Sequence, residues 1–124
     1  MNKNTHTTET AIDANTVLCT EFFNSRIIEK PYYSRWGDGA IDYCSDKGKI
    51  DYEGLTDVQK LCLYVYAWNT ADIYPCKKGI LKSFGWTNYK LQKLIRELKG
   101  KIVSEPTFSE YNGLLSGRGY LFCA

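Results

Sequence analysis

Eight Lys and Arg residues fall between Cys76 and Lys101 against Glu97 alone, so this quarter of the chain carries net +7 while the whole 124-residue chain carries +2. A cationic cluster of this density suits a polyanion, because each neutralised phosphate releases condensed counterions. Residues 1–75 carry net −4 and residues 102–124 net −1. Thr87, Asn88, Tyr89 and Gln92 are interleaved with the cations, and their donors and acceptors match phosphate oxygens and base edges. Gln92 suits adenine, and Arg96 suits guanine or a phosphate. Lys90, Lys93 and Arg96 also fit an ordinary solvated helix face. Other chemistry finds little material. The single histidine, His6, lies in a polar N-terminal stretch and reads as inert. No phosphate-binding loop, metal-ligand cluster or nucleophile motif occurs, so neither an enzyme nor a cofactor is expected. Cys19, Cys44, Cys62, Cys76 and Cys123 are odd in number and lack a C-x-x-C spacing, which argues against a zinc site or a disulfide framework and for reduced thiols in the cytoplasm. No signal peptide and no apolar run long enough to span a membrane is evident.

The elements that would position the cationic cluster are legible from periodicity. Thr56 caps a helix with Asp57 in its first turn. Val58, Leu61, Cys62, Val65, Tyr66 and Trp68 follow at helical spacing to about Asn69, and the width of the stripe predicts a mostly buried helix. Ala71 to Pro75 is a connector. Cys76 to Phe84 reads as a two-turn helix with Ile80, Leu81 and Phe84 inward, and Gly85 ends it in a left-handed conformation. Thr87 then caps a helix over Asn88 to Leu98, with Leu91, Leu94, Ile95 and Leu98 inward and Gly100 as its stop. Trp86, between the turn glycine and the cap, reads as a packing residue. Two helices joined by a glycine-bearing turn are the layout of a helix-turn-helix, whose second helix fits the major groove of DNA. The outward set is Thr87, Asn88, Tyr89, Lys90, Gln92, Lys93 and Arg96, with Asn88, Tyr89, Lys90 and Lys93 as central contacts. Lys77 and Lys78 open the preceding helix and face a phosphate strand, with Lys82 in support. Ile102 and Val103 start a strand, Ser109 to Ser116 with Asn112-Gly113 forms a turn or wing tip, and Gly119 to Cys123 returns. Arg118, between Gly117 and Gly119, suits a minor groove or a phosphate, or is simply a turn residue.

The N-terminal half is less regular. Residues 1–16 read as a flexible tail. Residues 17–54 form a helix followed by a loop-rich acidic extension, and residues 55–124 a domain of their own. Val17, Leu18, Phe22, Phe23, Ile27 and Ile28 predict a helix from Val17 to Lys30, capped by Asn15 or Thr16 and stopped by Pro31, although the stretch Arg26–Ile28 is also compatible with a strand. That helix supplies a homodimer interface or covers the chain's own core. From Pro31 to Gly54, Asp38-Gly39 and Lys47-Gly48 look like turns. The aromatic residues Tyr32, Tyr33, Trp36, Tyr43 and Tyr52 either pad the core or form, with Asp38, Asp42, Asp46, Asp51 and Glu53, an acidic surface that meets a protein.

The stretch Ile80 to Leu98, ILKSFGWTNYKLQKLIREL, resembles the helix-turn-helix of winged-helix proteins from bacterial plasmids and phages, including the N-terminal domains of replication initiators and DnaD-like replication organisers. The segment from Pro106-Thr107-Phe108 through Asn112-Gly113 to Gly117-Arg118-Gly119-Tyr120-Leu121-Phe122 is similar to the wing of that group. The likeness spans residues 55–122. It implies a mainly α fold with a small β-hairpin, that is, an α+β winged helix-turn-helix. It further implies a DNA-binding role for Thr87, Asn88, Tyr89, Lys90, Lys93 and Arg118.

Two functions fit these features. The first is a small double-stranded-DNA-binding protein of a mobile element, acting as a transcriptional regulator or a replication accessory through Lys77, Lys78, Thr87, Asn88, Tyr89, Lys90, Lys93, Arg96 and Arg118. The second is a phage-encoded inhibitor of a host defence complex, similar to anti-CRISPR proteins, that works through Asp42, Asp46 and Asp51.

Overall fold

The computed structural model describes residues 16–31, 48–71, 73–109 and 114–123, with the backbone alone for 105–109 and 114–118. The N-terminal tail, the aromatic run from Tyr32 to Tyr43, Asp42, Asp46 and the Asn112-Gly113 pair lie outside the described residues. Among the described residues the chain is α+β. Its elements in order are α1 (Thr20–Arg26), β1 (Ile27–Glu29), β2 (Lys49–Ile50), α2 (Asp57–Thr70), α3 (Lys77–Phe84), α4 (Asn88–Leu98), β3 (Ile102–Ser109) and β4 (Leu114–Phe122). β1 pairs antiparallel with β2, and β3 with β4.

α2 is the centre of the core. Its N-terminus is closed by a capping box: Thr56 Oγ1 accepts from Gln59 N at 3.3 Å, and Gln59 Oε1 accepts from Thr56 N at 3.0 Å. Two of the backbone donors that a helix start leaves unpaired are thereby satisfied. Gln59 Nε2 also donates to Val17 O at 3.2 Å, fastening the start of the described chain to α2. Leu61, Cys62, Leu63, Tyr64 and Val65 are buried in succession, more than one full turn, so neighbours must cover α2 on every side. The expectation of a mostly buried helix is met.

α1 supplies one cover. Phe23 is fully buried, with its ring 5.4 Å from that of Phe122 and 5.9 Å from that of Tyr66. Tyr66 Oη donates to Asn24 Oδ1 at 2.9 Å. The N-terminal helix therefore covers the chain's own core. It is shorter than the spacing predicted. Cys19, not Asn15 or Thr16, is its N-cap, and Ile27 is already extended at φ −92° and ψ 99°. The β-branched pair Ile27–Ile28 favours a strand, and Asp51 N donates to Arg26 O at 2.8 Å to continue the link to β2. Arg26 Nη1 donates to Glu53 O at 2.8 Å and lies 3.3 Å from Asp51 Oδ2. Gly48 sits against Pro31 at φ +88°, where a Cβ would lie 2.6 Å from Pro31 Cα, so a residue without a side chain is required there.

α3 and α4 follow the sequence reading closely. Gly85 takes φ 70°, and its N–H bonds to Leu81 O at 2.8 Å, ending α3. Thr87 Oγ1 accepts from Lys90 N at 3.1 Å and starts α4. At the other end Lys99, rather than Gly100, takes the first left-handed position, at φ 49°, with Gly100 following at φ 93°. Leu91, Leu94 and Leu98 are buried against the core.

The hairpin is longer than expected. Ser109 and Leu114 are paired, so the ladder takes in Ser109 and residues 114–116 of the stretch read as a turn. The register shifts between Pro106↔Arg118 and Phe108↔Leu115, giving β4 one extra residue beside Gly117. Glycine at a bulge does not end a strand. Arg118 consequently belongs to β4, opposite Pro106, and not to the tip.

β4 is locked to α2 by one side chain. Asn69 Oδ1 accepts from Phe122 N at 2.9 Å, and Asn69 Nδ2 donates to Tyr120 O at 3.2 Å and to Ile73 O at 3.0 Å. Tyr120 N donates to Pro75 O at 2.9 Å, so the connector runs beside β4. Asn69→Ala should lower unfolding free energy in urea by about 2–3 kcal/mol, since it strands backbone groups on two elements. A loss under about 0.5 kcal/mol would show that water replaces the amide.

Burial pushes the Cys62 thiol up from 9.0 to about 12, with Lys101 pulling the other way. The folded state then keeps a proton that the unfolded state releases from pH 9 upward. The stability is intact below pH 9 and declines as pH rises toward 12, by up to about 1.4 kcal/mol per pH unit. Cys62→Ala should flatten this decline relative to wild type, measured by chemical denaturation between pH 9 and pH 10.5. Parallel slopes would rule out the thiol as the cause.

Candidate nucleic-acid interface

The inward face of α4 is fixed by Leu91, Leu94 and Leu98, and this determines the opposite face at 3.6 residues per turn. Tyr89, Gln92, Lys93 and Arg96 fall on that opposite stripe, and Asn88 lies at its edge. Asn88, Tyr89 and Arg96 are exposed and Gln92 and Lys93 half-buried, with Tyr89 71% exposed. Gln92 Nε2 donates to Asn88 Oδ1 at 3.3 Å, one turn apart.

Lys90 stands apart from this stripe. Its Nζ lies 2.7 Å from Asp57 Oδ2, with the two side chains 35% and 13% exposed, and 5.2 Å from the centroid of the Trp86 ring. Trp86 stacks on Phe84 at 4.5 Å and 24°, which fits its reading as a packing residue. Phe84 in turn meets Tyr52 and Tyr64 edge-on at 5.2 and 5.6 Å. Lys90 thus ties the start of α4 to the start of α2. Sequence spacing puts it beside Tyr89 and carries no sign of Asp57, thirty-three positions away. Among the described residues, the other cations between Cys76 and Lys101 form no ion pair.

Lys77 and Lys78 occupy the first turn of α3, both exposed, with no acidic residue there. Cations at the positive end of a helix dipole are unfavourable unless an anion joins them. Lys82 and Lys99 are also exposed, and Lys99 was not among the residues singled out from sequence, although it belongs to the same charge cluster. Thr87 is exposed, its hydroxyl oxygen accepting the capping bond. The backbone of Arg118 lies in β4, away from α4 in sequence and opposite Pro106. Of the acidic residues considered for a protein surface, Asp51 is engaged by Arg26 and accepts from Glu53 N at 3.0 Å, and Asp42 and Asp46 lie outside the described residues. Among the described residues no group of His, Cys, Asp and Glu is arranged to hold a metal ion, and no helix is long and apolar enough to cross a membrane.

The geometry separates two roles that adjacent residues would otherwise share. Lys90→Ala should lower stability by about 1 kcal/mol, with most of that loss absent in an Asp57→Ala background. Tyr89→Ala should leave the thermal midpoint unchanged within error. Calorimetry of the four variants decides this, and additive losses for Lys90 and Asp57 would mean that the pair contributes nothing. No family model, curated protein or solved structure matches the chain.

Proposed function

We propose that this chain is a winged helix-turn-helix protein that binds double-stranded DNA, with α4 entering the major groove and the β3–β4 hairpin as the wing. The observation that carries the reading is the outer stripe of α4: Asn88, Tyr89, Gln92, Lys93 and Arg96 on one side of a helix whose other side is fixed in the core. The element order of helix, helix, tight turn, helix and hairpin supports it. So does the connector running beside β4, which gives the hairpin a third extended neighbour. Lys77 and Lys78 at the start of α3 suit a phosphate, where the helix dipole and two cations act together. The biological setting we propose is a mobile element, in a transcriptional or replicative role, on the resemblance of Ile80 to Leu98 to proteins of that kind.

Electrophoretic mobility shifts on a mixed-sequence duplex should show retention at low salt that weakens steeply between 50 and 200 mM, as counterion release requires. Lys93→Glu/Arg96→Glu should abolish that retention and reduce the salt slope. Lys77→Ala/Lys78→Ala should reduce affinity for every sequence about equally. Equal retention by wild type and Lys93→Glu/Arg96→Glu would sink the proposal.

A further inference from the structure

We infer that Gln92 reads an adenine edge in the major groove, and that Asn88 is the positioning residue that sets it for this task. The inference rests on the duplex reading above and adds to it the base that is read and the means of reading.

A side-chain amide offers two N–H donors and one oxygen acceptor, and a glutamine that turns freely presents either end. The bond from Gln92 Nε2 to Asn88 Oδ1 at 3.3 Å restrains the amide and engages one of its two protons. What remains on Gln92 is one N–H donor and Oε1 as acceptor, side by side. Adenine presents the complement in the major groove, with N7 as acceptor and the N6 amino group as donor. Guanine presents N7 and O6, both acceptors, so Oε1 would face an acceptor and the wrong base is rejected by repulsion as well as by a missing bond. The two residues are one turn apart in the first half of α4, with Asn88 exposed and Gln92 half-buried. The cations Lys93 and Arg96 follow Gln92 and suit the backbone without reading it. Asn88 keeps both of its own N–H donors for a phosphate or a flanking base.

The test uses the full chain. Duplexes that bind are selected from a random pool, and affinities are then measured on the selected duplex and on copies carrying 7-deazaadenine, which lacks the N7 acceptor, at each adenine in turn. One adenine should be required, and its replacement should weaken binding about ten-fold. Gln92→Ala should bind the selected and the deaza duplex equally. Asn88→Ala should shrink the discrimination ratio. Asn88→Asp, which keeps the acceptor, should retain the ratio while its charge lowers affinity for every duplex. Circular dichroism of each variant checks folding. Selected duplexes without a required adenine, or a Gln92→Ala protein that discriminates like wild type, would overturn the inference and leave the duplex reading standing. Failure to retain any duplex at low salt would overturn both.

Discussion

Val58, Leu61, Cys62, Leu63, Tyr64, Val65, Ala67 and Trp68 point from every side of α2, and all are buried. A helix buried in this way has no solvent face on which to terminate the core, so segments from both ends of the chain must close around it. Phe23 closes one side with Phe122 and Tyr66, and Leu91, Leu94 and Leu98 join the same core from α4. The orientation of α4 about its own axis follows from this demand. Three leucines on one stripe commit the helix to one rotation, and the polar stripe opposite them is presented outward as a consequence.

Burial of this kind leaves backbone groups that must be paired, and the chain uses side-chain amides for several of them. Gln59 closes the start of α2 and holds Val17. Asn69, one residue before the last of α2, does the work of a neighbouring strand for Phe122 and Tyr120. Because an unpaired buried backbone group costs more than a formed bond returns, these amides fix where β4 sits as much as they strengthen the fold. Charge is handled differently. Lys90 is drawn into the fold by Asp57 and the Trp86 ring. Lys77 and Lys78 remain at the positive end of α3, where nothing among the described residues neutralises them. Such a conflict between local electrostatics and the fold is where a partner is expected.

The elements written in local signals were readable from the sequence. Thr56, Gly85 and Thr87 mark helix ends within a few residues of the apolar stripes they bound, and Asn88 to Leu98 was placed to the residue. What depended on distant partners was not readable. Ile27 and Ile28 continue a helical apolar spacing although their β-branching favours a strand, and Lys49–Ile50 together with the Arg26 bonds to residues 51 and 53 decides for the strand. The returning strand was expected from Gly119, and the ladder begins five residues earlier, at Leu114, because its pairing with β3 continues past a bulge beside Gly117. Within the candidate site, the side of the helix was legible but the duty of each residue was not. Lys90 and Lys93 have the same chemistry and nearly the same surroundings in sequence, and only Asp57 separates them.

That separation gives the start of α4 its stiffness. Thr87 pairs a backbone donor of the first turn, Gly85 fixes the approach of the chain, Trp86 stacks on Phe84, and Lys90 clamps the same turn to α2. Tyr89, in the midst of these contacts, stays open. A surface that is ordered before a partner arrives loses little entropy on binding, so weak polar contacts made by its side chains retain more of their discriminating value. On the proposed reading, cations at the margins supply affinity that is insensitive to sequence, while Asn88 and Gln92 near the fixed end of the helix bear the smaller energies that distinguish one sequence from another. On that reading the two tasks call for different mechanics, long and adaptable side chains for the first and a rigid backbone for the second, along one helix.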